Sequence, residues 1–499
     1  MDHRYVIALV LQAAVASAAA GQQPAPIPPA AGRTVLSVAD AIAIARENSP
    51  AYGQVLNDRG SAAWGVRNAY AAFLPSFSAS GGLGYSGPGS QRFLATEFRQ
   101  QSSTVSSNYF LGLNWEMSGY TLSQPGLRKA QAAAVDADIE GATTQLATAI
   151  TQQYLSVKQA IETAALARKT LERNQEFLKL AQARYGVGQA TLIDVRQAEA
   201  ARGQSAVANL RAETAVQVEK LRLFQTMGVR APVDLAQVDL PDSFAIQPVR
   251  WRLEDLLTTA REENPALKSL RARESAAAWG ARAARSQYLP TVSVRAGWSG
   301  FTQRFTDLSP TIASARAGAA SDSLQCDYAN ASWFNGTGSP LNCAALTFTP
   351  ADEQVLRDQN ARYPFDFTGQ PFQASLTISL PIFTNFGRPL AVSEANATRE
   401  DVAYAVHARE LDLETLVNQA YLALTTAYRA VGIQDTSRAA AQDQLTLATE
   451  RYRVGSGTFF ELLDAQVAYE SAATDYINAV YEYHKAVAAL EAAVGRPLR

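Results

Sequence analysis

Cysteine occurs twice, and histidine and methionine three times each, in the 499 residues, and neither sign of charge prevails: 44 Lys and Arg face 46 Asp and Glu, for a net charge of −2. His407 and His484 fall inside helical patterns and His3 in a segment read below as removed. Histidine-dependent triads and zinc clusters are therefore nearly excluded. A balanced charge supplies no cationic field for neutralising phosphates, which counts against a nucleic-acid partner. Past the N-terminal segment no apolar run of about 18 residues occurs, so no helix is expected to span a membrane. A β-barrel stays open, because its signal per strand is weak. These absences point away from an enzyme, and no cofactor or metal is expected.

Asp2, His3 and Arg4 precede an apolar run from Tyr5 to Val15 and the small residues Ala16, Ser17 and Ala18. This pattern is a secretory signal over about residues 1–20, cut near Ala18 or Ala20. No cysteine lies there to accept a lipid, so the exported chain is not expected to be a lipoprotein. Residues 21–35, with Pro24, Pro26, Pro28 and Pro29, predict an extended leader.

The remainder is a duplication. Ala62-Ala63-Trp64-Gly65 returns as Ala277-Ala278-Trp279-Gly280, and Leu74-Pro75 as Leu289-Pro290, at an offset of 215. Arg184-Tyr185, Val187-Gly188 and Thr191 return as Arg451-Tyr452, Val454-Gly455 and Thr458, at an offset of 267. The first repeat covers about 36–240 and the second about 250–494; the 52-residue difference between the offsets fits the segment 301–371, which has no periodic pattern.

Within each repeat the hydrophobic period changes from two to three-and-four. Alternation predicts strands over about 76–86, 108–117, 291–299 and 372–381, each of the length that crosses a bilayer at a tilt. A half-buried soluble sheet would alternate in the same way. Four strands fall short of the roughly eight that a barrel needs, and open edges are not tolerated in lipid. If the strands span a membrane, several chains must therefore share one wall. Proline is absent between Pro125 and Pro232 and between Pro389 and Pro497. Val157, Ala164, Leu171, Leu178 and Tyr185 step by seven, while Leu413, Val417, Ala420, Leu424, Ala427 and Val431 alternate steps of four and three. These seams predict helical hairpins over about 126–228 and 388–494, reversing at Gly186/Gly188 and Gly455/Gly457.

This order of elements resembles the TolC family of bacterial outer-membrane efflux and secretion channels, along with the tip Arg451-Tyr452-Arg453-Val454-Gly455-Ser456-Gly457-Thr458 through Gln466, its echo from Arg184 to Asp194, and Leu380-Pro381-Ile382-Phe383. The resemblance implies a mainly α fold with a transmembrane β part. Four strands per chain contribute to a trimeric twelve-stranded barrel, and coiled-coil hairpins form a periplasmic tunnel. It also implies an outer-membrane location, lipid contact, and service to a tripartite efflux or type I secretion system. The partners are a periplasmic adaptor and an inner-membrane pump of RND, ABC or MFS type. Asp194, Tyr452, Glu461 and Asp464 match the periplasmic gate, and Val187, Gly188, Thr191, Val454, Gly455 and Thr458 match the adaptor-docking tips. Gly457 stands where the family's pattern has a basic residue, so that salt bridge is absent. As bare sequence, the acidic pair also fits an exposed helix surface, and the tips fit simple turns.

Cys326 and Cys343 sit in the aperiodic segment, where an exported chain can bond them, with free thiols as the alternative. Gly82, Gly84 and Gly87 have GxGxxG spacing but open no helix, so they do not mark a dinucleotide site. Asn330, Asn335 and Asn396 precede glycosylation-like triplets that arise by chance. The absence of His- or Met-rich tracts does not favour metal export. A non-conducting coiled-coil scaffold and, less favoured, a secreted enzyme are the competing readings.

Overall fold

The computed structural model describes residues 34–93, 96–100, 102–333 and 340–498. The signal segment, the leader up to residue 33 and Asn335 lie outside them. In chain order the elements are β1 (Thr34–Val35), α1 (Val38–Asn48), α2 (Pro50–Ala71), β2 (Ser76–Ser86), β3 (Gly89–Phe93), β4 (Thr96–Gln100) and β5 (Thr104–Met117). Next come α3 (Gly119–Gly186), α4 (Leu192–Met227), β6 (Val238–Asp239), α5 (Leu253–Glu263), α6 (Pro265–Arg285) and β7 (Thr291–Phe305). The chain ends with α7 (Ser309–Trp333), α8 (Pro350–Ala361), β8 (Thr368–Gly369), β9 (Gln373–Ser379), α9 (Gly387–Val454) and α10 (Phe459–Val494). The fold is mainly helical, and the repeat is visible in the lengths: α3 and α9 each have 68 residues, α4 and α10 each 36.

Two compact units divide the chain. One holds the segments up to Ala63, 130–275 and from Glu400 onward; the other holds 64–129 and 276–399. In the first, Leu36, Ile150, Tyr154, Leu223, Met227 and Val238 form one buried cluster, and Leu256, Leu267, Leu413, Val417, Leu424 and Leu490 form another. Residues 413, 417 and 424 belong to the four-and-three seam, so the heptad face of α9 is the face that packs. Lys220 is buried here and donates to the carbonyls of Leu235 and Val238 at 2.9 and 2.8 Å. Burial holds its ammonium below the usual lysine range.

In the second unit β2, β5, β7 and β9 form an antiparallel meander, with β8 beside β7. Register decides its faces. Phe77 lies opposite Leu113, Leu113 opposite Ala296, and Ala296 opposite Ala374. The next row joins Ala79, Leu111 and Trp298, and Trp115, Val294 and Leu376 form another. The alternate rows hold Ser76, Asn114, Arg295 and Ser375, or Ser78, Gly112 and Gly297. One face is thus apolar and the other polar. Phe110, Phe301 and Phe305 are exceptions on the polar face, and the Phe110 ring fills the space over Gly112 and Gly297. Phe77, Leu83, Trp298, Leu376 and Ile378 are all exposed, and β2 and β9 each leave one edge unpaired among the described residues.

Several boundaries differ from the sequence reading. The strand expected at 108–117 begins at Thr104, and the one expected at 291–299 continues to Phe305, because the two pair along their whole length from Thr104–Phe305 to Met117–Val292. The hairpin β3–β4 was not expected. The segment 301–371 is not irregular throughout: α7 and α8 occupy much of it. Asn360 binds both backbone groups of Phe305, and Ser107 donates to the Pro364 carbonyl at 2.7 Å, so the segment folds back on the sheet's end. Cys326 and Cys343 are bonded to each other. The first long helix starts at Gly119 rather than after Pro125. Ser118 caps it by accepting the Thr121 N–H at 3.2 Å, and Pro125 lies inside the helix nearly two turns from its start, without an N–H for the ladder.

Candidate functional site

The hairpins reverse at two tips built alike. Gly188 and Gly455 adopt φ of 74° and 86°, the left-handed region that stops each long helix without a Cβ clash. Each following helix opens on the same reciprocal cap. The Thr191 hydroxyl accepts the Asp194 N–H at 3.2 Å while the Asp194 carboxylate accepts the Thr191 N–H at 2.8 Å. Thr458 and Glu461 repeat this at 3.2 and 3.3 Å. Both carboxylates also sit at the positive end of a helix dipole. Thr191, Asp194, Thr458 and Glu461, expected at the docking tips and gate, are therefore all capping residues too.

Packing beneath the tips breaks the symmetry. Phe177, Ala181, Val195, Tyr452, Phe459 and Leu462 share one buried cluster, which joins both hairpins. Tyr452 and Phe459 are 3% and 2% exposed, whereas their repeat counterparts Tyr185 and Leu192 are 48% and 50% exposed. The Tyr452 ring meets Phe459 edge-on at 5.5 Å, and the Arg184 guanidinium stacks over it at 4.7 Å. Arg184 Nη2 also donates to the Gln189 carbonyl at 3.2 Å and lies against Gly455, where a Cβ would come within 3.2 Å of it. A single cation from the first tip thus reaches the second.

Electrostatics there are poised rather than satisfied. Tyr452 Oη and Arg184 Nε and Nη1 are buried with no hydrogen-bond partner among the described residues. Such groups cost stability unless a partner arrives. Burial, helped by the Asp194 charge and opposed by Arg184, holds the Tyr452 phenol above its ordinary range, so it remains a neutral donor.

Arg451, the repeat counterpart of Arg184, stays exposed with Nη2 3.9 Å from Glu461 Oε2. Asp464 is exposed one turn further along, as are Val187 and Val454 at the turns. At Gly457 a Cβ would lie 3.1 Å from the Arg451 side chain and 3.2 Å from Glu461 Oε2. A basic residue there would have to displace both. Arg184 was legible in the sequence only as half of the repeated Arg-Tyr pair, which carries no sign of its contact with Tyr452.

Among the described residues no group of three or more His, Cys, Asp and Glu is placed to hold a metal ion, and no helix is long and apolar enough to cross a membrane. A hollow of about 460 Å³ at the base of the sheet is lined by Asn68, Ser76, Asn114, Glu116, Ser293 and Arg295, among others. It is where strands meet helix.

No curated protein matches the sequence. Several solved structures share the fold. VceC from Vibrio cholerae superposes with a TM-score of 0.68 at 17% identity, covering 93% of this chain and 97% of its own. The Campylobacter jejuni outer membrane channel CmeC gives 0.68 at 15%, covering 92% of this chain and 85% of its own. The open state of the Neisseria gonorrhoeae outer membrane channel MtrE gives 0.64 at 18%, covering 93% and 89%. Over residues 41–229 and 357–496, more than half its length, the sequence matches the outer membrane efflux protein profile, and the chain belongs to that family of outer-membrane channel proteins.

Proposed function

We propose that the mature chain is the passive exit duct of a tripartite efflux or type I secretion system. Three copies, each with the four strands β2, β5, β7 and β9, close one barrel in outer-membrane lipid, and their hairpins line a periplasmic tunnel. The observation that carries this is the sheet: its register gathers the apolar residues on one exposed face and leaves both edges open. A lipid-embedded wall needs its backbone groups paired and its outer face apolar, and identical copies meet both needs. The polar face then lines water. Purified protein is expected to sediment as a trimer and to give discrete conductance steps in a planar bilayer. A monomer that leaves the bilayer silent points instead to a periplasmic scaffold.

In this reading the tips are the regulated end. Val187, Gly188, Thr191, Val454, Gly455 and Thr458 meet a periplasmic adaptor, and an inner-membrane pump of RND, ABC or MFS type supplies the energy. Asp194, Glu461 and Asp464 line the gate, and Tyr452 belongs to it from within the buried tip cluster. Arg184 supplies the closing cation that position 457 does not carry, clamping the first tip to the second. A desolvated cation–π contact contributes up to about 2 kcal/mol. Arg184→Ala is therefore expected to raise the open population by up to about thirtyfold, read as mean current. Arg184→Lys should restore part of the closure, and Arg451→Ala should change little. Equal effects from both arginines would remove the clamp.

A further inference from the structure

The two repeats bind each other through a contact that the chain can make only once. In the second unit Trp279 of α6 lies over Gly126 of α3, where a Cβ would come within 2.4 Å of the indole. Only glycine permits that approach. The repeat counterpart of Trp279 is Trp64 on α2, at the offset of 215, and that of Gly126 is Ser393 on α9, at the offset of 267. Both positions of the contact thus exist twice, with serine standing for the glycine in the second set, and among the described residues one set is joined while the other is not.

Three observations set the unjoined pair apart from an ordinary surface tryptophan. Trp64 is 66% exposed while Trp279 is half-buried. Its pose is nevertheless prepared in the same way, for Arg67 stacks over Trp64 at 4.8 Å as Arg282 does over Trp279 at 4.6 Å. On the receiving helix, Leu390, Ser393, Ala397 and Tyr404 follow steps of three, four and seven, so they share one stripe, and all are exposed. Position 390 shows the contrast with the joined pair: Leu390 is 59% exposed, while its counterpart Ser123 is 7% exposed.

We infer that Trp64 of one copy seats on Ser393 of the next, so that the helix contact made within a chain by Trp279 and Gly126 is repeated between chains. The inference rests on the trimeric reading above and deepens it by naming the anchor and its seat. The occupant is a second copy of this chain because the template for the contact is the chain's own other repeat. A small residue at 393 keeps the seat shallow, and serine in place of glycine holds the indole slightly further out. Within a closed ring each copy gives one tryptophan and receives one, leaving neither helix face bare.

The test is a cross-link in intact outer membranes. Trp64→Cys combined with Ser393→Cys, treated with a short bismaleimide, is expected to give a denaturing-gel ladder that ends at three chains, and neither single variant should give it. The native pair Cys326–Cys343 is bonded and does not react. In parallel, Trp64→Ala should weaken association about thirtyfold per contact, as for a buried aromatic anchor, read as the concentration at which the detergent-solubilised trimer dissociates. A trimer by sedimentation that yields no ladder and dissociates like the unaltered protein overturns the Trp64–Ser393 contact and leaves the duct reading intact. An unaltered protein that is monomeric overturns both.

Discussion

Neutralising the acidic pair with Glu461→Gln and Asp464→Asn is expected to abolish most of the pore's preference for cations at low salt. In the proposed trimer these positions would bring six carboxylates to the opening. At about 8 Å from the axis in a water-like medium they would lower a monovalent cation's energy by about 3 kcal/mol. Ionic strength of 0.1 M, with a Debye length of about 10 Å, leaves somewhat under half of that, or roughly a tenfold enrichment. At 1 M salt almost nothing remains. The measurement is the reversal potential across a salt gradient, repeated at both strengths. Glutamine at 461 is chosen because it can keep the reciprocal cap with Thr458, so a change in selectivity reports charge rather than a frayed helix. If the double variant retains its selectivity at low salt, these carboxylates are not the filter.

The second large effect separates two positions that the repeat makes equivalent. Phe459→Ala removes a ring that is 2% exposed and packed against Tyr452, and truncations of this kind cost about 3–5 kcal/mol. Leu192→Ala removes a side chain that is half exposed, and surface changes of this sort stay within about 0.5 kcal/mol. Hydrogen exchange over residues 445–465 is expected to quicken by two to three orders of magnitude in the first variant, with little change in the second. The same loosening should make the Phe459→Ala pore leaky in the absence of any adaptor. Similar exchange in the two variants would mean that the tip core does not hold the hairpins together.

Much of the architecture was legible because it rests on local rules. Hairpin windows free of proline for over a hundred residues and glycine at the reversals are short-range signals, and each appears twice. The caps made by Thr191 and Thr458 with the acid three residues on obey an equally local rule, but the sequence reading did not include them. Other parts gave no periodic signal. In α7 the stretch Ala313-Ser314-Ala315-Arg316-Ala317-Gly318-Ala319-Ala320 is helical without an apolar stripe, so periodicity could not find it. The short strands β3 and β4 lack alternation and exist by pairing with each other. The stacking of Arg184 on Tyr452 was invisible because a cation–π contact between residues 268 positions apart has no sequence spacing.

What the amino-acid order determined by itself was the duplication, the alternation that sorts each strand into an apolar and a polar side, and the caps and reversals of the long helices. The alternation, caps and reversals depend only on neighbours a few residues away, and the duplication is a likeness between segments that needs no contact between them. Which strand rows coincide, so that Phe77, Leu113, Ala296 and Ala374 share a face, was decided by the fold. So was the burial of Tyr452 while Tyr185 remains half exposed. A repeat makes two sites identical in sequence, but a chain has two ends. Packing that joins one repeat to the other can therefore bury one member of a pair and leave its twin exposed, as at Tyr452 and Tyr185, while Leu462 and its counterpart Val195 are both buried.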